Sequence, residues 1–263
     1  MTQLLADLGR GGLAMFGFLA ECGKLLKGFL YWSTIAVFKG YPVRFQEAAR
    51  QSVRVGVKSI PIVFLVNFFV GATLAFTVAE ILQLFGADTF TGAVMGVGFW
   101  RELAPLLTGI IMAGYVGASL AAEIGTMKVN EEIMALEAAA LNPIRFLAVP
   151  RLLAVMLMVP AATMMGVVFG IYGGYIVCVG VLDQTAQLYW DQMIQFVTRT
   201  DLRLGVFKSF IFATIVGVTG MAQGFRVRGG AEGVGLATTN AVVYSIIFII
   251  LADCIITALH FFG

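Results

Sequence analysis

The 263 residues are 60% hydrophobic and 12% charged, with mean hydropathy +0.94. A soluble globular domain is about 45–50% apolar and about 25% charged, so a chain of this length cannot hide its apolar surface from water and its solvent is lipid. The formal net charge of +2 excludes little by itself; the placement of the charges decides more.

Apolar runs over 11–20 and 28–38 are broken by Glu21, Lys24 and Lys27, and no small-residue cleavage pattern follows a clean apolar core. Each run is too short to cross a bilayer alone. Residues 1–50 are therefore expected to form interfacial (elbow) helices packed beside a bundle, with a further span as the competing reading.

Beyond them, intervals free of Asp, Glu, Lys and Arg mark the spans, because each charge near a bilayer centre costs roughly 2.5–3.5 kcal/mol. Such intervals cover 59–79, 103–122, 152–182, 209–225 and 233–252. Extended to neighbouring boundaries, they predict transmembrane helices over 59–79, 91–122, 150–182, 206–226 and 234–259. The fold class is thus an all-α integral membrane protein with five transmembrane helices. The interval of 31 residues is longer than an upright span needs, so it tilts or projects.

Basic residues set the orientation. Arg44, Arg50, Arg54 and Lys58 precede the first span, while Glu80 and Asp88 follow it. Lys128, Arg145 and Arg151 lie between spans two and three, and Arg226 and Arg228 between four and five. The loop between spans three and four mixes Arg199, Arg203 and Lys208 with Asp183, Asp191 and Asp201. The positive-inside rule puts the N-terminus in the cytoplasm and the C-terminus outside.

Four features bear on function. In the loop 123–147, Asn130 reads as an N-cap, with Glu131 and Glu132 in the first turn where the helix dipole favours them. Ile133, Leu136, Ala140 and Leu141 fall on one face, and Asn142-Pro143 stops the helix. This predicts a short amphipathic helix over 128–142. Anionic lipid headgroups repel Glu131, Glu132 and Glu137, so a groove on a protein partner suits it better than a lipid surface.

The second feature is Arg101-Glu102, a charged pair beside a long apolar interval. It either faces the bundle interior or a watery cavity, or it sits at a helix end among headgroups. Pro105 can kink this helix. The third is a set of small-residue ladders: Gly109, Ala113, Gly117, Ala121 and Gly125, then Gly166, Gly170 and Gly174. They allow close packing within the chain or across a dimer seam. The fourth is the glycine-rich RVRGGAEGVG over 226–235, which lacks the order of a phosphate loop, as does the segment near Lys24.

No nucleophile–base arrangement is written, and Glu80, Glu102 and Asp253 are scattered over different spans. Cys22, Cys178 and Cys254 read as isolated apolar thiols, and the single His260 gives no metal site.

Two blocks resemble the MlaE family of ABC permeases, also called YrbE or toluene-tolerance permeases: ELAPLLTGIIMAGYVGASLAAEIGTMKVNEEIMALEAAALNPIRFLAVPRLLA near 102–153 and KSFIFATIVGVTGMAQGFRVRGGAEGVGLATTNAVVYSIIFIILADCIIT near 208–257. Departures are Tyr115, where the family commonly has Arg, and Met221, where a Cys often follows Gly. The resemblance implies one permease domain over 1–263. It also implies a homodimer in the bacterial inner membrane that moves phospholipid between inner and outer membranes and maintains outer-membrane lipid asymmetry.

The implied partners are a cytoplasmic ABC ATPase dimer that binds the ATP and Mg, a STAS-domain protein, a periplasmic MCE-domain hexamer and phospholipid, with no nucleic acid. The chain itself is then not an enzyme and binds no cofactor. In this light 128–142 resembles a cytoplasmic coupling helix, with Glu123, Gly125, Lys128, Glu131, Glu132 and Leu136 as contacts to the ATPase. A lipid pocket is expected from Leu74, Leu82 and Phe85 for tails, with Trp100, Arg101 and Glu102 beside the phosphate. The rivals are a stand-alone secondary transporter or channel and a membrane scaffold. A membrane enzyme comes last.

Overall fold

The computed structural model describes residues 2–35 and 44–262, with side chains over 16–34 and 44–262. Residues 36–38, the end of the second N-terminal run, lie outside the described residues. Helix α1 spans Thr2–Leu30 and continues into a wider π turn over Tyr31–Ile35. Five long apolar helices follow: α2 (Phe45–Leu84), α3 (Asp88–Val129), α5 (Ile144–Gly180), α7 (Arg199–Arg226) and α8 (Gly230–Phe262). Two short helices sit in the links, α4 over Glu132–Ala138 and α6 over Ala186–Phe196. All five long helices are long and apolar enough to cross a membrane, so the chain is an all-α, multi-pass membrane protein.

Because the spans alternate in direction, one end of the bundle carries α4 and the Val227–Gly229 link, and is called proximal here. The distal end carries Phe85–Ala87 and α6. Helix α7 is the central element: 61% of its most apolar stretch is buried, against 11% for that of α8. It packs on α3, α5 and α8. Phe212, Val216 and Met221 of α7 meet Met112 and Ile124 of α3, Leu152 of α5 and Ile249 of α8 in the main core.

The small-residue ladders are spent on packing within the chain. A Cβ on Gly71 of α2 would lie 2.0 Å from the Gly170 carbonyl oxygen of α5. A Cβ on Gly220 of α7 would lie 2.7 Å from the carbonyl oxygen of Gly117 of α3. Backbones in contact of this kind gain dispersion energy that lipid cannot replace. The outward stripes of α2 and α8, including Leu65, Phe69, Leu251 and Ile255, remain exposed.

Three expectations change. The N-terminal segment holds one helix of 29 residues rather than two short ones, and its Phe18, Leu25 and Phe29 are buried on the bundle. Residues 45–50, expected with the elbow helices, begin the first long helix instead. In the link between α5 and α7, Arg199, Asp201 and Arg203, expected in the loop, belong to α7, which also contains Lys208 inside its expected span. That link also folds α6, whose Tyr189 is wholly buried and donates its hydroxyl to the Ile171 carbonyl at 2.9 Å.

Candidate functional site

The distal half of the bundle holds an ion network that begins with a backbone irregularity. Pro105 has no N–H to give the Arg101 carbonyl, and its ring would crowd that oxygen in a regular helix. Helix α3 accommodates it with a π turn over Phe99–Leu103. Arg101 and Glu102 sit in that turn and reach different partners.

Arg101 donates from Nε to Oδ1 of Asp201 at 2.8 Å and also from a terminal nitrogen to the same oxygen. Asp201 is fixed by the start of α7. Thr198 is the N-cap, and its N–H and hydroxyl donate to Oδ2 of Asp201 at 2.9 and 2.8 Å. One carboxylate therefore completes a capping box and holds the guanidinium. The Asp201 side chain is 1% exposed and that of Arg101 37%, so the arginine is the open member of the pair.

Glu102 accepts from the ammonium of Lys208, whose side chain is fully buried. Lys208 lies 2.7 Å from Oδ1 of Asp253 and donates to Thr257 at 2.8 Å. Thr257 donates to Oε1 of Glu102 at 3.2 Å. Arg101 and Lys208 face Glu102, Asp201 and Asp253, two cations against three carboxylates. Glu102 and Asp253, scattered in the sequence, thus meet on one lysine. The available signal was placement: Lys208 falls inside the expected span 206–226 and Asp253 inside 234–259, and in the fold each lies nine residues from the distal end of its helix.

Of the other expected pocket residues, Leu74 and Trp100 pack against the distal core cluster of Met95, Phe99 and Tyr189. Leu82 is half-buried, while Phe85 is 79% exposed where α2 ends. The structure thus gathers Trp100, Arg101 and Glu102 at one turn and leaves Leu82 and Phe85 outside both core clusters.

At the proximal end the loop folds differently from its expected caps. Asn130 closes α3, and Glu131, in the left-handed region at φ 60°, precedes α4. Helix α4 is only seven residues long and ends before Asn142. Leu141 donates to the Leu136 carbonyl and Ala140 to that of Glu137, each at 2.9 Å, a Schellman closure with Ala140 left-handed at φ 57°. The Asn142 side chain instead opens α5, accepting from the N–H of Ile144 at 3.0 Å.

The apolar face of α4 is used inside the chain. Ile133 is buried and Leu136 half-buried on the main core. Glu131, Glu132, Met134 and Glu137 are what this segment presents outward. Glu123 is held between Arg54 and Arg151, the latter at 3.4 Å. Lys128 donates to the Phe225 carbonyl, and a Cβ on Gly125 would lie 2.8 Å from Val227. Glu123, Gly125, Lys128 and Leu136 therefore brace the proximal end, and only Glu131 and Glu132 of the expected contacts are on the surface. Among the described residues no group of His, Cys, Asp and Glu is placed to hold a metal.

The sequence profile of the family described as Permease MlaE matches residues 48–259. A "Probable ABC transporter permease protein" of Rickettsia prowazekii is 35% identical over 251 residues, covering 95% of this chain and 92% of the relative. The "Intermembrane phospholipid transport system permease protein MlaE" of Haemophilus influenzae is 29% identical over 99% of this chain and 98% of its own length. The chloroplastic "Protein TRIGALACTOSYLDIACYLGLYCEROL 1" of Arabidopsis thaliana is 31% identical over 91% of this chain and 65% of that protein.

Proposed function

The chain belongs to the MlaE permease family and is the permease of an ABC transporter, and on that premise we propose that its cargo is phospholipid, exchanged between inner and outer membranes to maintain outer-membrane lipid asymmetry. The phospholipid named in the Haemophilus relative supports this cargo. The observation that carries it is Arg101. A guanidinium has five N–H donors, and Asp201 engages only Nε and one terminal nitrogen. The remaining donors, on a side chain 37% exposed, suit a phosphate diester. Trp100 and Leu74 beside it suit the tails.

The protein works as a homodimer in the bacterial inner membrane, its proximal end cytoplasmic and its C-terminus periplasmic. Arg44, Arg50, Arg54, Lys58, Lys128, Arg145, Arg151, Arg226 and Arg228 at the proximal end support that orientation. An ABC ATPase dimer binds the ATP and Mg and docks on the α4 segment through Glu131 and Glu132. A STAS-domain protein joins the ATPase, and an MCE-domain hexamer receives or delivers lipid at the distal end.

The test is transfer of labelled phospholipid by the reconstituted complex with and without ATP. Arg101→Ala should lower co-purifying lipid and transfer together. Unchanged lipid occupancy and transfer in that variant would sink the role of Arg101. Transfer that persists without nucleotide would place the chain among secondary transporters instead.

A further inference from the structure

A second polar recess lies toward the proximal end, about 300 Å³ in volume, between α2 and α3. Gln51, Arg54, Val55 and Lys58 line it from α2 at spacings of three and four, one stripe of a helix. Across from them stand Tyr115, Ser119 and Glu123 on α3. Tyr115 is 14 residues beyond Arg101 (115 − 101) on the same helix, roughly 21 Å along its axis at about 1.5 Å per residue. The two sites are separate.

The charges of the recess do not balance. Glu123 is its one carboxylate, and it pairs with Arg54 of the wall and with the buried Arg151 behind it, which does not line the recess. Lys58 adds a third cation and, among the described residues, has no carboxylate within ion-pair distance. Glu47, one turn before Gln51 on α2, is engaged by Arg50 at 3.9 Å and leaves the count unchanged. Three cations against one carboxylate leave two positive charges over. Next to hydrocarbon such a surplus calls for an anion, since the low dielectric strengthens the attraction and little water is available to screen it.

The walls indicate what carries that anion. Val55, Val116 and Leu120 are apolar, whereas Gln51, Ser119 and Tyr115 supply an amide and two hydroxyls. Lys58 immediately precedes the charge-free interval 59–79, and its stripe continues through the exposed Ile62, Leu65 and Phe69. A cationic mouth leading to an exposed apolar track fits an amphiphile with a phosphate at one end. A free phosphate would have no use for that track.

We propose that this recess binds the phosphate-bearing headgroup of a phospholipid in the inner leaflet, its tails lying along Ile62, Leu65 and Phe69. It is a holding site one leaflet away from Arg101. The proposal rests on the lipid cargo and orientation argued above.

The intact complex, in nanodiscs of phosphatidylethanolamine with phosphatidylglycerol, tests it by native mass spectrometry and by photo-cross-linking from position 62. Phosphatidylglycerol should cross-link, and diacylglycerol with the same chains should not. Inorganic phosphate should fail to compete. Lys58→Leu should weaken the cross-linked lipid about fivefold, the factor expected for one interfacial cation, and Lys58→Arg should restore it. Lys58 is exposed, so neither variant disturbs the core.

Equal cross-linking of diacylglycerol, or an unchanged yield in Lys58→Leu, would overturn the site. Competition by inorganic phosphate would make it a soluble-anion site and overturn the lipid assignment. If headgroup binding persists while the complex transfers no lipid with ATP, the transport reading fails and the site stands. If transfer proceeds and Lys58→Leu binds lipid normally, the reverse holds.

Discussion

The buried ammonium of Lys208 lies 2.7 Å from the carboxylate of Asp253, across the packing of α7 on α8. Glu102 shares the same ammonium from α3, so a single cation ties three spans together. Removing it leaves two partly buried carboxylates facing each other without their cation, and losing one partner of a buried pair costs about 3–5 kcal/mol. Lys208→Met should therefore destabilise the detergent-solubilised protein by that order. Asp253→Asn removes one of the two carboxylates and keeps a hydrogen-bonding amide, so it should cost far less. Thermal unfolding of both variants checks the asymmetry, and equal losses would contradict it.

The closure of α4 places Ala140 at φ 57°, a conformation that burdens any residue with a Cβ. Glycine carries no such burden and is the usual residue at this position of a Schellman closure. Ala140→Gly should leave stability unchanged or raise it by up to about 1 kcal/mol, even though glycine widens the unfolded ensemble. Ala140→Val should lower it. The measurement is the melting temperature of the purified chain with each substitution.

The five spans were legible because charge-free intervals are long and the cost of breaking them is large. The ion network was not, and the reason is physical. Asp201 looks like a loop residue and Lys208 like a charge at the edge of its span, because a charge in the first turns of a span is hard to tell in sequence from one just outside it. Only the packing of α3, α7 and α8 reveals that Glu102 and Asp253 share a lysine. The caps of α4 failed for another reason. Asn130 serves the end of one helix as well as it would the start of the next, and a left-handed Ala140 has no sequence signature. Helix α6 was hidden because its burial depends on the distal core that receives Tyr189.

Burial raises the Tyr189 phenol well above its usual value of about 10, with a smaller push from the neighbouring Cys178. The folded state thus holds this proton after the unfolded chain has released it. The stabilisation is present in full below pH 10 and is lost as pH climbs from there toward the folded value. Of the seven tyrosines, this one should resist ionisation until the distal end opens, which absorbance at alkaline pH reads directly. Tyr189→Phe gives up the hydrogen bond to Ile171, a loss of about 1 kcal/mol. It should also flatten the alkaline decline in stability.

The α4 segment separates two roles that its sequence runs together. Ile133 and Leu136 anchor it to the core, while Glu131, Glu132 and Glu137 stand on the surface with Met134. Ile133→Ala should therefore destabilise the chain by about 2–4 kcal/mol through an unfilled core position. Reversing charge with Glu131→Lys and Glu132→Lys should leave stability within about 0.5 kcal/mol of the parent, as surface changes do. In the complex the same reversal should weaken the ATPase and uncouple nucleotide hydrolysis from lipid transfer, because like charges at an interface cost several kcal/mol. Hydrolysis measured beside transfer distinguishes the cases. A charge-reversed chain that still couples fully would move the docking surface to another part of the proximal end.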